Sequence, residues 1–387
     1  MLPRYILQKI DPDIINSLSV KSNNKRRVIL SAKDFEKCRI ILKDENVRVV
    51  REFPLINAYS VEIPEDRLAA LAANNVIRYI SSDVEAHTQM DIAARVIGAT
   101  KLHKRGITGK GVTIAVIDTG ISPHRDFTKP RYRIKAFKDF VEDRNVPYDD
   151  NGHGTFVAGV AAGNGYSSNG KYRGVAPDAQ LVIIKAMDKN GSGDTTRILD
   201  AMQWIEDNRE RLGIQVVSMS IGANPTTASV DALANGADAL WDQGLFVVAA
   251  AGNSGPNPRT ITTPGVSHKV VTVGASDDKR TLTMKDDGIA SFSSRGPANR
   301  NFKPDIVAPG VDIVSTKAFD EKRGSFYTKM SGTSVATPMV AGAAALIKQS
   351  YPDVTPQELK QYFLNNAFDL HKNRNAQGKG SVHLTDI

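Results

Sequence analysis

Four polar residues sit in settings so small or so glycine-rich that packing does not require them: Asp118 in VIDTG, His153 in NGHGTFVAG, Asn253 in AAAGNSG and Ser334 in SGTSVATPMVAG. Singly, each has an ordinary reading. Aspartate and asparagine form turns and serine caps helices; only His153, between Gly152 and Gly154, has too little packing to contribute for burial to explain it. Together they make a chemical set. An alcohol is a poor nucleophile at neutral pH and needs a base within hydrogen-bond reach. An imidazole base in turn needs a carboxylate to fix its tautomer and stabilise its charge. Ser334, His153 and Asp118 can fill those three roles. An acyl-transfer intermediate also needs donors for its oxyanion, which the Asn253 amide and the Ser334 backbone N–H can supply.

For these residues to meet, positions 118, 153, 253 and 334 must reach one rim of the fold. The apolar pattern allows this. GVTIAVID (111–118), QLVIIKAM (180–187), QVVSMSI (215–221), LFVVAAA (245–251) and KVVTVGA (269–275) are nearly continuous apolar runs, as expected of strands covered on both faces. Helical patterns at 155–162, 195–211 and 229–243 lie between them, which predicts a doubly wound α/β domain with a mostly parallel sheet. In such folds ligands gather outside the carboxyl ends of the strands. Asp118 and Asn253 follow strands, whereas His153 and Ser334 open helices. The stretch 330–349 reads as a buried helix of small and apolar residues. It begins or is distorted close to Ser334, because Pro338 clashes with the Ser334 carbonyl in a regular helix. A last amphipathic helix is expected over 355–367.

On VIDTGI, NGHGTFVAG, AAAGNSGP and SGTSVATPMVAG, in the order Asp, His, Asn, Ser, the sequence resembles the subtilisin-like serine peptidases over residues 108–347. SMSIGA (218–223), SFSSRGP (291–297) and KPDIVAPG (303–310) add weaker likeness. The resemblance implies a serine endopeptidase with Ser334 as nucleophile, His153 as general base and then acid, Asp118 as orienter and Asn253 as oxyanion donor. By position, Gly191, Ser192 and Gly193 in KNGSG, and Ser220, Ile221 and Gly222, look like the family's two edges that pair with the substrate backbone. Pairing of that kind gives affinity with little sequence preference. Beside them, Ala250, Ala251 and Gly252 leave room for a large side chain with no acid at Ser254, so the expected substrates are proteins and peptides cut broadly after apolar or aromatic residues. Phe156 replaces a second histidine that many relatives carry, with altered packing rather than lost activity as the expected effect. The chemistry requires no cofactor. Structural calcium is common in the family, and Asp126 in SPHRDF matches a ligand position. Residues 164–171 do not clearly match the loop that supplies the other ligands, so the metal is unknown at this point.

Residues 1–90 read differently from 91–387. Short strands at 27–31, 47–52, 58–63 and 76–80, with a helix at 64–74 opened by Pro64 and carrying Glu65 and Asp66 in its first turn, make a small α+β unit. The resemblance implies a prodomain that assists folding, inhibits the active site and is removed autocatalytically. ISSDVEAHTQM (80–90) looks like its extended tail, with the cut between Gln89 and Asp91. A permanent regulatory or scaffold domain is the alternative.

The 387 residues are 41% hydrophobic and 24% charged, enough for one large and one smaller globular domain. The net charge of +8 is scattered, and Lys25, Arg26 and Arg27 read as a solvated face. Without a recognition motif this charge does not point to nucleic acid, and no stretch is long enough to span a bilayer. Cys38 is the only cysteine, which excludes an intrachain disulfide and suits a reducing compartment. MLPRYILQKIDPD carries no signal-peptide pattern, so the expected location is the cytoplasm, and the nearest resemblance is to intracellular bacterial subtilisin-like alkaline proteases. Three rivals fit less well. A dead peptide-binding relative would have a broken catalytic position, and none is broken. A nucleotide-binding enzyme would carry GITGKGV (106–112) after its strand rather than before it. An α/β-hydrolase esterase would want Gly-x-Ser-x-Gly and the order Ser, Asp, His.

Overall fold

The chain divides into two compact units, Met1–Ala86 and His87–Ile387. The computed structural model describes residues 3–11, 14–15, 25–82, 89–224, 231–298, 301–318 and 325–385.

In the smaller unit, strands β1 (Lys25–Ala32), β2 (Arg48–Phe53), β3 (Ala58–Pro64) and β4 (Ile77–Ser82) form an antiparallel sheet in the order β2-β3-β1-β4. Helices α1 (Phe35–Asp44) and α2 (Leu68–Ala73) complete it. Val28 and Leu30 of β1, Cys38 and Leu42 of α1, Val61 of β3 and Leu68 of α2 share one core separate from that of the larger unit. The expected helix at 64–74 is a 3-10 turn, Glu65–Arg67, followed by α2. Sequence reading missed α1, which buries only Cys38 and Leu42 and is started by Asp34 accepting from the Lys37 N–H. Cys38 is fully buried, and desolvation pushes its thiol up to about 11, so it is neutral and unreactive near pH 7. Residues 83–88 of the expected extended tail lie outside the described residues. Gln89–Val96 is helical (α3), which puts the expected cut at Gln89 to Asp91 in the first turn of a helix.

The larger unit opens with α3 and α4 (Ala99–Lys104) and then adopts the α/β pattern read from its apolar runs. Strands β5 (Thr113–Asp118), β6 (Ile134–Asp139), β7 (Gln180–Lys185), β8 (Ile214–Met219), β9 (Phe246–Ala250), β10 (Val271–Asp277) and β11 (Gly288–Ile289) lie in the order β11-β10-β9-β8-β5-β7-β6, and β12 (Ile306–Pro309) also pairs with β10. All pairings are parallel except β10 with β11. Every residue of β5 is buried, as befits a central strand covered on both faces. Helix α5 (His153–Ala162) packs on α8 (Thr333–Ser350), and α6 (Thr195–Leu212) packs on α7 (Ala232–Asp242). A small hairpin, β13 (Ile313–Thr316) and β14 (Tyr327–Met330), precedes α8, and α9 (Pro356–Asn366) follows it behind a Thr355–Glu358 capping box. Sequence reading missed β6: its pattern IKAFKD, half-exposed at an edge, is not an apolar run.

Helix α8 reaches from the site to the opposite end of the sheet. Its small residues let other backbone approach: a Cβ at Gly342 would stand 2.8 Å from the Ala161 carbonyl of α5. At its far end, Gln349 Oε1 accepts from the backbone N–H groups of Thr108, Gly109 and Lys110, and Gln349 Nε2 donates to the Gly106 carbonyl. That one side chain fastens the end of α8 to the loop that leads into β5. Among the described residues, no helix is long and apolar enough to cross a membrane.

Candidate active site

Strand β5 delivers Asp118 fully buried at its carboxyl end. Asp118 Oδ1 accepts from the Thr119 N–H at 2.8 Å and from His153 Nδ1 at 2.7 Å. A carboxylate acceptor on Nδ1 makes that nitrogen the protonated one and leaves Nε2 with a lone pair. His153 Nε2 lies 3.0 Å from Ser334 Oγ.

The loop that carries His153 is held by a carboxylate that sequence reading did not single out. Asp149 accepts from Thr119 Oγ1 at 2.9 Å, Gly152 N–H at 2.7 Å, Thr155 N–H at 2.8 Å and Thr155 Oγ1 at 2.6 Å. Next to the histidine, a Cβ on Gly154 would stand 2.2 Å from the Gly120 carbonyl, so only glycine lets α5 start so close to the end of β5. Lys185, fully buried at the end of β7, donates to the Thr119 carbonyl at 2.7 Å, the Met187 carbonyl at 3.0 Å and Asp150 Oδ1 at 2.7 Å. These are the groups around the turn after Asp118. Asp149 and Lys185 were legible only as the acid four residues before His153 and as a charge closing an apolar strand. Burial works against the charged imidazole, but the Asp118 charge and hydrogen bond, helped by Asp149, outweigh it and hold the His153 pKa above its ordinary value.

Ser334 is the second residue of α8, and Pro338 is accommodated inside the helix rather than at its start. Proline has no N–H to donate to the Ser334 carbonyl, and Thr337 Oγ1 instead donates one turn back, to Thr333. Asn253 follows β9. Its Oδ1 accepts from both the Thr333 N–H, at 2.9 Å, and Thr333 Oγ1, at 3.0 Å, which turns Nδ2 the other way. A Cβ at Gly332 would stand 3.6 Å from Asn253 Nδ2 and 3.0 Å from Ser334 Oγ, so the amide and the hydroxyl face one space.

Beside them lies a cavity of 480 Å3. Ser220, Ile221, Gly222, Ala250, Gly252 and Thr262 line it together with Asn253 and Ser334, and among the described residues no acid does. Ala251 does not line it. Strand alternation turns that side chain to the other face, into a small cluster with Ile261 and Val266. Gly191, Ser192 and Gly193 stand apart from the cavity in a turn organised by Asp188, whose Oδ1 accepts from the Asn190 and Ser192 N–H groups. Asn151 joins that turn to the histidine, donating to the Lys189 carbonyl at 3.0 Å while accepting from the His153 N–H at 3.1 Å. Phe156 is fully buried in α5.

The position matched to a calcium ligand is occupied differently. Asp126 is fully buried, and its carboxylate accepts from the N–H groups of Gly165 and Ser167 and from the Tyr327 hydroxyl, at 2.8 to 3.1 Å. Hydrogen-bond donors converge on that carboxylate. A calcium ion needs six to eight oxygen ligands. The residues around Asp126 therefore do not fit a cation, and no cluster of three or more His, Cys, Asp or Glu ligands exists among the described residues.

Comparison with known proteins agrees with this geometry. Residues 109–382 match the model of the Subtilase family. The chain is 42% identical over 366 residues to Serine protease AprX of Bacillus subtilis (strain 168), a match covering 89% of this chain and 82% of that protein. It is 36% identical to an Alkaline protease of Alkalihalobacillus alcalophilus, covering 89% and 83%. Among solved structures, Sphericase and S41 Psychrophilic Protease each superpose with a TM-score of 0.63 over 72% of this chain and 93% of theirs, at 30% and 31% identity. A parallel sheet that brings an acid, a histidine and a helix-borne serine to one rim, with this match over most of the chain, places the protein in the Subtilase family as a subtilisin-like serine endopeptidase.

Proposed function

We propose that the protein cleaves peptide bonds through an acyl-enzyme on Ser334, with His153 as the base, Asp118 as the orienting carboxylate and Asn253 as oxyanion donor. One observation carries this reading: a continuous hydrogen-bonded line from buried Asp118 through both nitrogens of His153 to Ser334 Oγ, at 2.7 and 3.0 Å. As Ser334 Oγ attacks the substrate carbonyl carbon, its proton passes to His153 Nε2, and Asp118 stabilises the imidazolium. The oxyanion takes hydrogen bonds from Asn253 Nδ2 and the Ser334 backbone N–H, whose position near the start of α8 adds the positive end of the helix dipole. His153 then gives the proton to the leaving amine, the C–N bond breaks, and water repeats the cycle to release the acid.

The 480 Å3 cavity, without an acid among the described residues, favours apolar or aromatic side chains on the acyl side, and the 191–193 and 220–222 edges pair with the substrate backbone. Residues 1–90 act as folding aid, inhibitor and self-removed prodomain, cut near Gln89–Asp91; cleavage there requires the first turn of α3 to uncoil. A buried, unpaired Cys38 accords with work in the cytoplasm. The experiment is to expose wild type and Ser334→Ala to a serine-directed fluorophosphonate while sequencing the mature N-terminus. Labelling and processing of wild type alone are expected. Equal labelling of both refutes the nucleophile, and an intact Met1 in fully active enzyme refutes the prodomain.

A further inference from the structure

Behind the loop that carries Asn253 is a second cavity, of 580 Å3, that the proposed reaction does not use. Its walls are apolar at Pro256, Ile289 and Ala376, and Arg295 and Lys372 supply the charge. No carboxylate lines it among the described residues. Arg295 is half-buried and pairs with no acid among them: Nη2 donates to the Ala290 carbonyl at 3.2 Å, and Nη1 is buried without a partner. Burial lowers its pKa. Asn375 Oδ1, in the same wall, is also buried and unpartnered.

A half-buried guanidinium without a neighbouring counter-charge favours an anion or a hydrogen-bond acceptor beside it. The cavity is of ordinary small-molecule size. We infer that it is a binding site for a carboxylate with an apolar body, whose oxygens pair with Arg295 and whose hydrocarbon lies against Pro256, Ile289 and Ala376. The planar guanidinium and a carboxylate are complementary in charge and in hydrogen bonding. Aryl or alkyl acids and the carboxyl terminus of a short peptide share this chemistry.

The site adjoins the proposed oxyanion donor through a short, well-tied loop. Ser254 lines the cavity beside Ser334, whereas Pro256 lines this one. The loop between them is fixed to the segment before Arg295 by Ser254 N–H donating to Ser294 Oγ at 3.1 Å and Gly255 N–H donating to the Phe292 carbonyl at 2.8 Å.

The test uses full-length Ser334→Ala protein, which cannot consume a peptide probe under the proposed mechanism, and isothermal titration calorimetry. The probes are 3-phenylpropanoate and its neutral amide, and acetyl-Ala-Phe with a free or an amidated carboxyl end. Expected is binding of the acids, weakened about tenfold or more in the amides and in Arg295→Gln, and lost in Ala376→Phe, which fills the cavity. The tighter of the two acids identifies the source, a free organic acid or a peptide terminus. Both substitutions are checked for native melting, and either one alone suffices. Acid and amide binding alike, binding that survives in the folded variants because the probe sits beside Ser334, or no binding at millimolar concentration overturns the inference.

Discussion

Thr333 donates twice to Asn253 Oδ1, once from its backbone and once from its hydroxyl, and the same hydroxyl accepts from the Gly252 N–H at 3.2 Å. The residue before Ser334 thereby aims the amide that the proposed mechanism assigns to the oxyanion. Asn253→Leu is expected to lower kcat by about 10²–10³, or about 2.7–4 kcal/mol, the size known for the corresponding asparagine donor of subtilisin. Thr333→Val removes one of the two bonds and lowers kcat about tenfold with KM unchanged. In an Asn253→Leu background the Thr333→Val loss disappears; full additivity of the two in steady-state kinetics would show that Thr333 does not act through Asn253.

The pH profile follows from the raised His153 pKa. The base form is required, so the acidic limb of kcat/KM lies above the ordinary imidazole value of about 6.5. Asp118→Asn moves that limb to lower pH and lowers kcat about 10⁴-fold. Asp149→Asn also moves it down, since Asp149 raises the same pKa. For stability the direction is opposite: the protonated imidazole's contribution is complete below the unfolded pKa and fades as pH rises through the folded one. NMR titration of the His153 ring in Ser334→Ala checks the shift, and a pKa at or below the ordinary value would contradict it.

Around Asp126, hydrogen bonds satisfy the buried carboxylate. A chelator is expected to leave the wild-type Tm unchanged within about 1 °C. Tyr327→Phe removes one of the carboxylate's donors and lowers stability by about 1–2 kcal/mol. A drop in Tm with chelator that calcium reverses, and that Asp126→Asn abolishes, would show that an ion binds there after all.

Asp287, which takes no part in the proposed chemistry, gives the protein a second pH dependence. It is buried after the 3-10 turn Met284–Asp286, and neither carboxylate oxygen has a partner among the described residues. Desolvation first, then the negative field of Asp278, pushes its pKa up to about 7. Between the unfolded value and 7 the folded state holds the extra proton, so stability falls as pH rises through that window and stays low above it. Asp287→Asn should match wild type near pH 4 and exceed it by roughly 2 kcal/mol at about pH 8–9 in urea titrations. Equal stability at both pH values would rule this out.

Much of the large unit was legible because its strands are buried on both faces: five continuous apolar runs became β5, β7, β8, β9 and β10, and their ends located Asp118 and Asn253. The elements that escaped are those whose signal depends on neighbours. Edge strand β6 alternates weakly, and α1 shows only two buried side chains. Asp149 escaped for a related reason. An aspartate in a turn has the same composition whether it caps nothing or, as here, holds the loop under His153 through five hydrogen bonds. Ala251 was assigned to the pocket by adjacency in sequence, which strand alternation overrides. Thr333 was not legible as the residue that aims Asn253, because its partner is 80 positions away.

The Gln349 clasp also bears on how the molecule forms. It joins residues 239 to 243 positions apart, and the contact between His153 and Ser334 spans 181. In the sheet that these contacts organise, the parallel pairs cannot start as hairpins, and each awaits a crossover. Loop-closure entropy must be met before such distant pairings return any stability, so this topology folds slowly. Until Gln349 meets the lead into β5, α8 has no fixed far end and the serine at its near end has no fixed address. Assembly of the reactive line thus depends on contacts between residues far apart in sequence.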